Sequence, residues 1–89
     1  MNISEGKDQE TNLLRDMIDF MARALVDYPE NVEVKELAGG MTSIIELKVA
    51  KTDVGKVIGR YGVTADAMRM LLSSAGTKIR KRAVLDIID

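Results

Sequence analysis

The six residues Val57-Ile58-Gly59-Arg60-Tyr61-Gly62 join a short apolar segment to an amphipathic run that opens at Thr64. Two glycines three apart allow a sharp main-chain turn at positive φ and remove the Cβ atoms that would hold a ligand away from the backbone. A helix starting just after such a turn adds unpaired N–H groups and the positive end of its dipole, a combination suited to a phosphate. Seven glycines in 89 residues predict roughly 0.5 pairs at this spacing by chance, so the spacing carries weight only through what flanks it.

Upstream, Thr52-Asp53-Val54-Gly55-Lys56-Val57-Ile58 reads as one short helix, with Thr52 as N-cap and Val54, Val57 and Ile58 apolar. Downstream, Thr64 is the expected cap of a second helix with Asp66 in its first turn. Met68, Leu71, Leu72 and Ala75 follow at helical spacing until Gly76 closes it. The glycine turn therefore falls between two helices, and no acid stands between Gly59 and Gly62.

Working outward, residues 1–10 are polar and aperiodic and read as a flexible N-terminal tail, with residues 11–89 as a single domain. From Thr11, the positions Leu14, Met17, Ile18, Met21 and Leu25, flanked by Leu13, Phe20 and Ala24, predict a helix with one wide apolar face, stopped by Pro29. Residues 31–37 partly alternate through Val32 and Val34. Gly39 and Gly40 mark a turn, and in residues 42–50 the side chains of Ile45, Leu47 and Val49 share one side, which is a β-hairpin pattern. Ala83-Val84-Leu85-Asp86-Ile87-Ile88 closes the chain as a β-branched strand with Ala83, Leu85 and Ile87 facing inward.

The order α-β-β-α-α-β predicts a two-layer α+β domain, three helices on one face of a three-stranded mixed sheet whose other face is wet. A last strand reached through two helices is expected parallel to the second strand, with the first strand antiparallel on the opposite edge.

Composition narrows the chemistry. Cys and His are both absent, which removes thiol nucleophiles, disulfides, imidazole bases and the usual zinc ligands together. No Ser, Asp or Lys constellation suggests an activated nucleophile, so neither an enzyme nor a cofactor or metal site is expected. No apolar run approaches the length of a bilayer span, and the polar start lacks a signal-peptide core; no membrane role and a cytoplasmic protein are expected. The net charge of −1 hides an asymmetry: residues 1–46 carry a net −6 and residues 47–89 a net +5. The glycine turn lies in the basic half with Lys48, Lys51, Lys56, Arg60 and Arg69, and a further group, Lys78, Arg80, Lys81 and Arg82, precedes the last strand. A positive face on a near-neutral protein suits a polyanion. For Arg69 and the group at residues 78–82, the plainer reading is a solvated surface.

The β-α-α-β core with Val-Ile-Gly-x-x-Gly between its helices resembles a KH domain, and the N-terminal α-β extension resembles the type II, prokaryotic arrangement. The run from Asp53 to Gly62, the element order and the small size are similar to the KhpA-like family of stand-alone bacterial KH domains, over nearly the whole chain from Thr11. The resemblance implies binding of single-stranded RNA, about four nucleotides per domain, with the GxxG loop clamping the backbone. Carried onto this chain, it implies that Gly59 and Gly62 permit close approach and that Arg60 and Tyr61 project beside the phosphates. Val54, Val57 and Ile58 would form an apolar groove floor, and Lys56 and Lys51 would steer the strand. It further implies an RNA chaperone or post-transcriptional regulator, a homodimer, and pairing with a KhpB-like partner that carries its own KH domain, tied in some bacteria to cell-wall biogenesis and cell shape. Such relatives place more basic residues in and after the loop and often a Lys where this chain has Asp66, which implies weaker backbone attraction here. Tyr61 either offsets this by stacking on a base or shields the turn or packs against a partner subunit. An alternative function is a protein-interaction module whose helix-loop-helix surface mainly contacts protein.

Overall fold

The computed structural model describes residues 3–88, with side-chain surroundings from residue 12 to residue 88. The elements are α1 (Ile3–Leu25), β1 (Glu33–Gly39), β2 (Thr42–Lys48), α2 (Val54–Ile58), α3 (Val63–Lys78) and β3 (Arg82–Ile88), with 3-10 turns at Pro29–Asn31, Lys51–Asp53 and Arg60–Gly62. The sheet order is β1-β2-β3, with β1 antiparallel to β2 and β2 parallel to β3, as the sequence predicts.

One face of the sheet and the inner stripes of the helices make the core. On α1, Leu14, Ile18 and Ala22 recur every fourth residue and are fully buried. On the strands the period is two: Val32 and Val34 lead into and along β1, Ser43, Ile45 and Leu47 line β2 with Val49 beyond it, and Leu85 holds the centre of β3. Val57, Met68 and Leu72 complete the cluster from α2 and α3, while Ala83 and Ile87 pack against its margin.

The outer face follows the register. Glu33 lies opposite Lys48 and Lys35 opposite Glu46, so opposite charges face each other across β1 and β2, while on the β3 side Glu46 lies beside the like-charged Asp86. The expected wet face is interrupted by one apolar row, Leu37, Ile44 and Val84, which stand side by side in the register. The hairpin turns at Gly40 and Met41, with Gly40 at φ 59°, the left-handed first central position that a two-residue hairpin asks of glycine.

Four sequence expectations move. The first helix starts at Ile3 rather than Thr11, since the polar residues before Thr11 include the good helix formers Glu5, Lys7, Gln9 and Glu10. Of the tail expected over residues 1–10, residues 1 and 2 lie outside the described residues. That helix also ends at Leu25, four residues before Pro29, because the N–H groups of Asp27 and Tyr28 donate to the carboxylate of Asp53 at 3.1 and 3.0 Å instead of continuing the helix. Thr52 and Thr64 cap nothing: Lys51–Asp53 is a 3-10 turn leading into α2, and the N-cap of α3 is Gly62. Gly76 does not close α3, which runs on to Lys78. It is buried, and a Cβ there would sit 2.6 Å from the carbonyl oxygen of Lys81 and 3.0 Å from Cβ of Ala83. Its missing side chain lets the start of β3 pass against the helix; the left-handed residue that ends the helix is Arg80, at φ 60°. Among the described residues no helix is long and apolar enough to cross a membrane.

Candidate nucleic-acid interface

α2 has five residues, and its last turn is closed by the N–H of Gly59 donating to the carbonyl of Gly55 at 2.9 Å. The chain then reverses. Gly59 has φ 78° and ψ 172°, a region only glycine occupies without strain, and the N–H of Gly62 donates back to the Gly59 carbonyl at 3.1 Å. Tyr61 (φ 58°, ψ 23°) and Gly62 (φ 77°, ψ 10°) are both left-handed. Three of the four residues in this turn thus have positive φ, and α3 begins at once with Val63.

The turn puts its side chains outward. Tyr61 is 91% exposed, so the cost of a left-handed non-glycine, about 1–2 kcal/mol, is not offset by burying the ring. The Arg60 guanidinium carbon lies 5.7 Å from the centroid of that ring, a cation–π distance. Arg60 pairs with no acid among the described residues. Val63, the first residue of α3, is exposed beside the turn.

The other expected site residues divide. Ile58, next to the turn, keeps part of its surface in solvent, and Val54, at the start of α2, is half-buried against the core. Lys51 is exposed. Val57 has no exposed surface, which corrects the expectation that it floors a groove: on so short a helix one apolar side chain must face inward, and Val57 is the one that does. Lys56 stands with its Nζ 3.1 Å from Asp27 Oδ2 and 3.8 Å from Asp53 Oδ1. The hydrogen bond and charge of Asp27, with Asp53 behind it, raise its pKa above the ordinary lysine value. Its charge is balanced within the fold, leaving Arg60 in the turn and Lys51 before α2 without an acid partner among the described residues. Asp66 in the first turn of α3 pairs with Arg69 at 3.4 Å.

Asp53 is the residue that sequence reasoning underrates. It is completely buried and ties the exit of α1 to the start of α2, so it fixes where the turn at residues 59–62 stands relative to the rest of the fold. A charged side chain just before a short helix reads equally well as a cap, and only the fold shows that its oxygens point elsewhere.

A second surface opens next to the turn. Phe20 and Leu25 of α1 and Ala67 and Leu71 of α3 border a wholly apolar cleft of about 270 Å³. Phe20 is 76% and Leu71 52% exposed. The apolar face of α1 is too wide for one partner: Leu14 and Ile18 face the sheet and Phe20 does not.

Comparison with known proteins agrees with this geometry. A family model described as "KhpA/KhpB, KH domain" matches residues 15–87. The chain is 48% identical over 73 residues to the RNA-binding protein KhpA of Caldanaerobacter subterraneus subsp. tengcongensis, covering 82% of this chain and 97% of that one. It is 43% identical over 75 residues to the protein of the same name from Clostridium acetobutylicum, covering 84% and 100%, and 43% identical over 76 residues to that of Aquifex aeolicus, covering 85% and 96%. No solved structure matches the chain. With the two-helix glycine turn, the mixed three-stranded sheet and a match over most of its length, the chain belongs to the KhpA/KhpB family of KH domains.

Proposed function

We propose that this protein binds single-stranded RNA and holds the sugar–phosphate backbone at the turn of residues 59–62. The observation that carries the reading is Tyr61: left-handed between two positive-φ glycines and almost wholly exposed, it is a strained residue whose side chain contributes no packing, the pattern expected of a ligand clamp. The relatives bear the name RNA-binding protein, which supports the same polymer here. In this reading Gly59 and Gly62 admit the backbone, Arg60 and Lys51 attract the phosphates, Tyr61 stacks on a base, and Val54 and Ile58 offer the apolar margin on which bases lie. Lys56 acts indirectly, by holding α2 to the exit of α1. One such module binds weakly and gains strength when several domains engage one strand, which suits a cytoplasmic RNA chaperone or post-transcriptional regulator.

The test is a titration of labelled tetrauridylate. Arg60→Asp with Tyr61→Asp is expected to weaken binding at least tenfold at unchanged melting temperature; unchanged affinity would reject the turn as the site. Tyr61→Phe is expected to keep the affinity and Tyr61→Ala to lose about 1–3 kcal/mol, the range for base stacking.

The apolar cleft beside the turn favours a second reading, a homodimer or a complex with a KhpB-like KH partner formed through α1 and α3. Under it, sedimentation gives a dimer that persists without RNA and that Phe20→Glu with Leu71→Glu dissociates. A strict monomer with intact RNA binding, and no association with such a partner, rules this reading out.

A further inference from the structure

The basic half of the chain carries more positive charge than the glycine turn uses. Lys56 is balanced by Asp27 and Asp53, and Arg69 by Asp66. The remaining concentration, Lys78, Arg80, Lys81 and Arg82, sits at the opposite end of α3, about 24 Å from the turn for sixteen residues at 1.5 Å each. Among the described residues none of these four pairs with an acid.

Their backbone is held firmly. The N–H groups of Ile79 and Arg80 donate to the carbonyls of Gly76 and Thr77, both at 3.1 Å; that of Lys81 donates to Gly76 at 2.8 Å and that of Arg82 to Met41 at 2.7 Å. Arg80 is, with Tyr61, one of two non-glycine residues at positive φ among the described residues. The side chains of Arg80, Lys81 and Arg82 border a shallow concavity of about 410 Å³ walled by Ser73, Thr77 and Met41. A helix C-terminus welcomes one cation in its last turn, and Lys78 fills that role; three more on the next four residues repel one another and gain nothing from the dipole. Arg69, Ser73 and Thr77, each four residues from the next and all exposed, stack along one side of α3 and join the two basic ends by a polar track. An anionic lipid surface would ask for apolar side chains to insert beside the cations, and Met41 is the one large apolar side chain there.

We infer that the turn at residues 78–82 is a second contact for the phosphodiester backbone of RNA, engaging the part of a strand that extends beyond the nucleotides held at residues 59–62. This rests on the RNA-binding reading above and lengthens its footprint. A tetranucleotide reaches one end of α3; a longer strand reaches both.

The experiment compares tetrauridylate with a twenty-nucleotide oligouridylate on the full chain, titrated from 50 to 200 mM salt. For K78Q/K81Q/R82Q, tetrauridylate affinity stays within about twofold, while the twenty-nucleotide strand loses about tenfold and its log–log salt slope becomes shallower by about 2, near 0.7 for each phosphate contact removed. K78R/K81R keeps both values. Should the triple variant melt early, R82Q alone is expected to lower the slope by about 0.7. The inference is overturned if the long strand keeps its affinity and slope, if both oligomers weaken equally, or if the only loss is in binding to phosphatidylserine vesicles. The two readings fail separately: Arg60→Asp with Tyr61→Asp reports on the turn through the tetranucleotide, and the triple variant reports on the far end through the difference between the two lengths.

Discussion

A side chain on Gly59 would collide with Thr64: an ideal Cβ there lies 2.6 Å from Cβ of Thr64 and 2.8 Å from its backbone nitrogen. α2 and α3 close on each other across the turn because residue 59 has nothing to insert between them. Gly62 is different, since a Cβ placed on it meets nothing within 4 Å. The two glycines of the motif are thus required for different reasons, the first by space and dihedral angle and the second by dihedral angle alone.

Substitution should separate them. Gly59→Ala is expected to destabilise the fold by about 2 kcal/mol or more, since the forbidden dihedral and the overpacking each cost on the order of 1–3 kcal/mol. Gly62→Asn is expected to cost less than about 1 kcal/mol, because asparagine tolerates the left-handed region. Urea unfolding of both variants measures this, and equal losses would contradict it.

Gly76→Ala pits two effects against each other. Alanine improves a helix interior by up to about 1 kcal/mol, but its Cβ would fall 2.6 Å from the Lys81 carbonyl, and overpacking against backbone costs about 1–3 kcal/mol. The clash is expected to win, giving a net loss of about 1–2 kcal/mol; a gain in the denaturation midpoint would show that β3 yields more easily than its pairing with β2 suggests.

The carboxylate of Asp53 accepts two backbone hydrogen bonds while fully buried. Hydrogen bonds to charged groups contribute about 1.5–3 kcal/mol, so Asp53→Ala is expected to cost about 3 kcal/mol, a large share of the stability of so small a domain. Hydrogen exchange gives the local signature: the amides of Asp27 and Tyr28 lose protection in the variant before those of β2 do.

Alkaline pH tests the link between α1 and α2. Because Asp27 raises the Lys56 pKa, the folded chain holds that proton more tightly than the unfolded one. The contribution is complete below the ordinary lysine pKa of about 10.4 and disappears as pH rises through the raised value. The melting temperature of the natural chain is expected to fall more between pH 9.5 and pH 11.5 than that of Lys56→Met, by a small margin because the pair is partly exposed. Parallel curves would show that the ion pair adds nothing.

The readings that held are those resting on local spacing. Leu14 and Ile18 stand at helical spacing and Ile45, Leu47 and Val49 every second residue, so helix and strand are legible without knowing what they pack against; Ala22, which is as fully buried, is not among the residues that the sequence assigns to the apolar face. The readings that moved involve residues with two good local options. Gly76 suits a helix end as well as a close approach, and Thr52 suits a cap as well as an exposed turn position. Among Val54, Val57 and Ile58, nothing in a five-residue helix says which faces the core. Phe20 and Leu71 read as core because their faces are apolar, and they lie outside it because α1 and α3 meet along other positions.

Alternation, helical period and glycine spacing by themselves determined the α-β-β-α-α-β order and the place of the turn between two helices, since each of these depends on residues close in the chain; the mixed sheet followed from that order, because a strand reached through helices returns parallel to its neighbour. Tertiary structure alone decided that Val57 is wholly buried, that Lys56 is balanced by Asp27, that Asp53 binds the exit of α1 and that the second basic group stands a helix length from the first. The Asp53 bonds span 25 and 26 residues, and the others depend on how elements pack; no local pattern encodes such contacts, because they come into existence only when the layers close.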